Sequence, residues 1–129
     1  MIVTLKDETF AGKVLNELQI EFSKETVTVK DIITLRVHKE VDTYNEKAQE
    51  FYNGLVEPTD AEKTINGYKL KSKRIIDAEK QVYIALDAFM NNGYFLLIDN
   101  IQSESLEQKV QLKSNTTISF IKLTPLVGG

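Results

Sequence analysis

The residues of this chain best suited to chemistry are its last six, Thr124-Pro125-Leu126-Val127-Gly128-Gly129. They follow an apolar run with strand character, Thr117-Ile118-Ser119-Phe120-Ile121-Lys122-Leu123. Glycine has no Cβ, so a Gly-Gly end lets another protein approach the backbone closely and receive it through a narrow slot. The group such a slot would take is the carboxylate of Gly129, a poor electrophile until it is activated. Pro125 fixes its own φ and biases Thr124 toward an extended shape, which projects a flexible tail over residues 124–129 away from the body. Leu123, Leu126 and Val127 are apolar, and mobile ends seldom carry such groups without something to dock on. In this reading Gly129 is the acyl donor and Gly128 gives clearance. Leu123, Pro125, Leu126 and Val127 are then docking residues. The competing reading is a frayed end, in which Leu123 closes the core and the rest is incidental.

Other candidates carry less. His38 is the single histidine and falls beside Arg36 and Lys39 on the polar side of a helix. It reads as a solvated side chain, because no second histidine exists to complete a metal site. Asp99, Glu104 and Glu107 offer paired carboxylates for acid–base work, but their neighbours read as a solvated turn. Lys69, Lys71, Lys73 and Arg74 form the one basic concentration, a solvated helix start or a dock for an acidic partner. There is no cysteine, hence no thiolate nucleophile, no disulfide framework and no cysteine-ligated zinc. Neither a phosphate-binding GxxxxGK[ST] loop nor an HExxH helix occurs, and no catalytic triad suggests itself. The expectation is a protein that is not an enzyme and binds no cofactor or metal of its own.

Composition agrees with a folded, soluble body. The chain has 129 residues, enough for a single domain with its own core. Hydrophobic residues make up 42% and charged residues 27%, with two prolines, which is globular composition rather than disorder. The net charge is −3, and no basic stripe is interleaved with aromatics, so no nucleic-acid partner is expected. Met1-Ile2-Val3-Thr4-Leu5-Lys6 alternates as a strand does and lacks the plan of a signal peptide. No apolar run is long enough to cross a bilayer. A cytoplasmic protein with no membrane partner is the expectation.

The elements that must position the tail follow from periodicity. Residues 2–23 read as a hairpin, with Leu18, Ile20 and Phe22 on one face of its second strand and a turn near Ala11-Gly12-Lys13. Thr28 followed by Asp31 makes a capping-box start. Val29, Ile32, Ile33, Val37, Val41, Tyr44 and Ala48 then recur at helical spacing, and the helix is expected to stop near Asn53-Gly54. Arg36, Lys39 and Glu40 are assigned to the opposite, solvated side, and Leu35 falls off the stripe. A second helix is expected over Ser72–Asn91, with a stripe of Ile75, Ala78, Val82, Ala85, Leu86 and Phe89, while Tyr83 and Ile84 lie off it. Tyr94 to Asp99 reads as a buried strand and Thr116 to Leu123 as the final strand. Between them, Ser103 to Leu112 reads as a turn plus a small strand. A hairpin, a helix across a sheet and further strands make an α+β domain.

This order, closed by an apolar strand and Gly-Gly, resembles the ubiquitin-like β-grasp proteins. The likeness rests on the entry Glu25-Thr26-Val27-Thr28-Val29-Lys30-Asp31-Ile32-Ile33, on Phe95-Leu96-Leu97-Ile98-Asp99-Asn100-Ile101-Gln102 with Ser105-Leu106, and on Ile118 to Gly129. It covers residues 1–45 and 94–129. The segment 54–92 stands outside it as a helical insertion. The tail is also similar to those of the small sulfur carriers of molybdopterin and thiamine synthesis. The resemblance implies a mixed sheet packed on a helix and a bacterial ubiquitin-like modifier. Its C-terminal glycine would be adenylated by an activating enzyme that supplies the ATP and magnesium sites. Conjugation to a target protein would follow, with a conjugating enzyme and a JAB-type metalloprotease as further partners. Some such systems are tied to antiphage defence. A sulfur carrier with a thiocarboxylate at Gly129 is one alternative, and a non-catalytic interaction or assembly module is another.

Overall fold

The computed structural model describes residues 1–54 and 77–122. The chain opens with β1 (Ile2–Glu8) and β2 (Val14–Glu21), paired antiparallel with Val3 opposite Ile20 and Leu5 opposite Leu18. Strict alternation buries Val3, Leu5 and Ile20 and leaves Ile2 and Glu21 outside. The connecting turn is closed by the Thr9 amide donating to the Lys13 carbonyl at 2.9 Å and the Gly12 amide donating to the Thr9 carbonyl at 2.9 Å. Gly12 has φ +88°, a conformation that glycine adopts without Cβ strain.

A three-residue strand, β3 (Thr26–Thr28), leads into α1 (Val29–Gly54). The expected capping box forms: the Asp31 amide donates to Thr28 Oγ1 at 3.1 Å, and the Thr28 amide donates to Asp31 Oδ2 at 3.0 Å. The next amides of the first turn are also satisfied. Val29 donates to the Gln108 carbonyl and Lys30 to the Leu106 carbonyl, each at 3.0 Å. Val29, Ile32, Ile33, Val37 and Val41 are buried as the periodicity requires. Tyr44, expected on the same stripe, is exposed, and so is Leu35.

The second helix, α2 (Ala78–Met90), starts at the N-cap Asp77, whose Oδ1 accepts from the Glu79 amide at 3.0 Å. The expected start at Ser72 lies outside the described residues, as do residues 55–76 of the expected insertion. The helix stops where expected. Asn92 takes φ 60°, and the Gly93 amide donates to the Ala88 carbonyl at 2.7 Å. Ala85 and Phe89 are buried, Ala78, Val82 and Leu86 pack at the core margin, and Tyr83 and Ile84 are exposed.

The remaining strands are β4 (Tyr94–Ile98), β5 (Ile101–Gln102), β6 (Lys109–Gln111) and β7 (Ile118–Lys122). Asp99 and Asn100 join β4 to β5 with φ of 49° and 66°, the two left-handed residues that a tight twisted hairpin needs. The main sheet runs β2-β1-β7-β4-β5, and β3 pairs with β6 in a small sheet of its own. β7 is parallel to β1 and antiparallel to β4, so the five-stranded sheet is mixed. Its inward residues Leu5, Ile118, Phe120 and Leu96 share one core with α1 and α2. The architecture is α+β, as expected. The strands β3 and β5 were not expected, because two or three residues show no period. Among the described residues no helix is long and apolar enough to cross a membrane.

Candidate functional site

The expected tail residues Leu123, Pro125, Leu126, Val127, Gly128 and Gly129 lie outside the described residues. What the structure places is the strand that leads to them. β7 lies in the middle of the sheet, and at its end Ile121 stands opposite Glu8 of β1 and Phe95 of β4, while Lys122 stands opposite Tyr94. Alternation puts Phe120 and Leu96 inward, and therefore Ile121 and Phe95 on the face of the sheet away from the helices. Phe10, in the turn after β1, packs edge-on against Phe95 with ring centroids 6.0 Å apart. Phe10 itself remains 64% exposed. The open face next to the end of β7 thus carries a small apolar surface made of Phe10, Phe95 and Ile121.

Beneath the same end of the sheet lies a charge cluster that corrects an expectation. Arg36 was assigned to the solvated side of α1, yet its side chain is 0% exposed. Asp7, whose side chain is 2% exposed, receives both terminal nitrogens of the guanidinium. Arg36 Nη2 donates to Asp7 Oδ2 at 2.6 Å, and Nη1 donates to Oδ1. Glu40, one turn on, accepts from Nε at 2.9 Å and from Nη2 at 2.6 Å. The guanidinium also lies 4.5 Å from the centre of the Phe120 ring. Burial alone would lower the pKa of Arg36, but the bonds and charges of Asp7 and Glu40 outweigh it and raise the pKa. The cation is permanent, and the cluster ties β1, β7 and α1 together.

Tyr94 completes this region. Its hydroxyl donates to the Ala85 carbonyl of α2 at 2.7 Å, and its ring packs on Phe89 and Phe120. Burial raises its pKa strongly, and the charge of Arg36 opposes that only in part. Tyr94 therefore acts as a neutral structural strut.

The chain matches no family model, no curated protein and no solved structure.

The remaining expected candidates separate rather than converge. His38 is exposed, as expected. Asp99 is a turn residue: its Oδ1 accepts from the Thr117 amide at 2.9 Å and from the Thr117 hydroxyl at 3.3 Å. Glu104 and Glu107 line a recess beside the end of α2. No group of three metal-ligating side chains forms among the described residues. The basic residues Lys69, Lys71, Lys73 and Arg74 lie outside them. The sequence did hold a signal for the charge cluster. Asp7 continues the inward alternation of Val3 and Leu5, and Arg36 falls four residues after Ile32 and three after Ile33. Two opposite charges at inward positions of facing elements are a candidate buried pair. The described site holds no nucleophile beside a base; what it can do is hold the end of β7 rigidly and offer an apolar face beside it.

Proposed function

We propose that this chain is a ubiquitin-like modifier with the β-grasp plan, whose Gly129 is activated and conjugated to a target protein. The observation that carries the reading is the place of β7. A central strand, parallel to β1 and antiparallel to β4, directs the chain off one end of a sheet backed by a helix, and this strand order is compatible with the β-grasp plan. The exposed Phe10 over Phe95 gives an enzyme an apolar surface beside that exit.

In this proposal the Gly129 carboxylate attacks the α-phosphorus of ATP held by the activating enzyme, and pyrophosphate leaves. A thiol of that enzyme displaces AMP, and an amine of the target displaces the thiol to form an amide. This chain supplies the acyl group, with Gly128 giving clearance and Leu123, Pro125, Leu126 and Val127 docking the tail. ATP, magnesium and the nucleophilic thiol belong to the partners, which include a conjugating enzyme and a JAB-type metalloprotease.

The test is to express the chain with an N-terminal tag in its host, purify it under denaturing conditions and digest with trypsin. Cleavage after Lys122 leaves the Leu123–Gly129 remnant on any acceptor lysine. The expected result is remnant-bearing peptides from other proteins, lost on deletion of Gly129. A terminal thiocarboxylate instead would show sulfur transfer. Absence of both species, with function surviving the deletion, would refute the proposal.

A further inference from the structure

We propose that the recess between the end of α2 and the loop leading to β6 binds a lysine or arginine side chain presented by a partner polypeptide. This inference does not rest on the reading of the tail. The recess has a volume of about 380 Å³, room for one long side chain and its neighbouring backbone. Met90 and Leu106 supply apolar wall, and Glu104 and Glu107 supply its acidic rim. Both carboxylates are exposed, and neither takes part in an ion pair among the described residues.

The second observation is Ser103. It lines the recess, it is 4% exposed, and its hydroxyl oxygen has no hydrogen-bond partner among the described residues. Its backbone is fixed, because the Ser103 amide donates to the Leu96 carbonyl at 2.8 Å. A buried hydroxyl without a partner is costly, and it can accept a hydrogen bond as well as donate one.

The occupant must therefore combine an apolar stem with a cationic, donor-rich tip. Lysine and arginine lay their methylene stems along apolar surface and keep the charge at the edge. The tip would meet Glu104 and Glu107, and Ser103 Oγ could accept one of its N–H groups. An anionic group would be repelled by the two carboxylates. A purely apolar side chain would strip water from the rim and the hydroxyl without replacing it.

The experiment uses the full chain labelled with 15N. The probes are acetyl-Gly-Lys-Gly-amide, its arginine analogue, and norleucine and glutamate controls. Amide shifts are followed from Gln102 to Glu107. The expected result is saturable, salt-sensitive shifts there with the lysine and arginine peptides, and much weaker ones with norleucine and glutamate. The E104Q/E107Q variant, altered only at exposed positions, should weaken binding by about five- to tenfold, the range of two exposed ion pairs. Equal shifts from norleucine, no shift at tens of millimolar peptide, or unchanged affinity in E104Q/E107Q would each overturn the proposal.

Discussion

Replacing Arg36 with methionine keeps most of the buried stem and removes the charge. Asp7, 2% exposed, then loses the guanidinium that bridges both of its oxygens. A carboxylate in that position favours its neutral form. Taking up a proton at pH 7 costs about 4 kcal/mol, the roughly three decades between pH 7 and an ordinary aspartate pKa at about 1.4 kcal/mol each. That agrees with the ~3–5 kcal/mol found on breaking buried pairs. It is a large share of the ~5–15 kcal/mol that holds a domain together. The sign with pH follows. In the variant the folded-state pKa of Asp7 lies above its unfolded value, so its effect on stability worsens as pH rises from about 4 and is relieved as pH falls. Urea unfolding followed by circular dichroism at pH 5 and pH 7 should show R36M recovering stability at the lower pH by about 1.4 kcal/mol per pH unit, relative to the unaltered chain. The double variant D7N/R36M removes the Asp7 carboxylate as well. It should lose this pH dependence and regain about 2 kcal/mol over R36M at pH 7. An R36M deficit below about 1 kcal/mol at pH 7, or a pH profile parallel to that of the unaltered chain, would refute the reasoning.

Tyr94 should stay neutral above pH 10, because burial raises its pKa. Its contribution is therefore whole below about pH 10 and is lost as pH rises further. A tyrosinate absorbance titration in which one tyrosine ionises only on unfolding would agree, and its loss in Y94F would assign it. The same Y94F change removes the bond to the Ala85 carbonyl and should cost about 1 kcal/mol in urea unfolding near neutral pH. A Cβ on Gly93 would meet the Ala88 carbonyl oxygen at 3.2 Å and the Ala88 Cβ at 3.3 Å, so G93A should destabilise by about 1 kcal/mol, read as a lower thermal midpoint. T28A removes one arm of the capping box, and about 1 kcal/mol of stability should go with it in the same assay.

The larger elements were legible because their patterns are long. The stripe from Val29 to Val41 and the alternation of β1 each repeat often enough to show a period. Capping chemistry placed the start of α1, and Asn92-Gly93 placed the end of α2. The short strands escaped because β3 is fixed by β6, some eighty residues away, and β5 by a two-residue turn. Arg36 was misplaced because charge was taken as evidence of exposure, although its helical position lies within the apolar arc. Its partner, twenty-nine residues earlier, is brought beside it only by the fold. The recess at Ser103 has no linear signature, since its walls come from α2, β4 and the loop before β6.

The central position of β7 has a consequence in time. Among the described residues, the β1–β2 hairpin and the β4–β5 hairpin touch no common strand except β7. As the polypeptide leaves the ribosome, the two hairpins are therefore separate halves, each with an open edge. At synthesis rates of about 5–20 residues per second, the residues from Tyr94 to Lys122 take a few seconds to follow. Until Ile118–Lys122 arrives, those edges are free to pair with other nascent chains. Insertion of the late strand closes the sheet and sets Phe120 against Arg36 in the same event. Whatever reads the segment beyond Lys122 then meets a body whose assembly that strand has already completed.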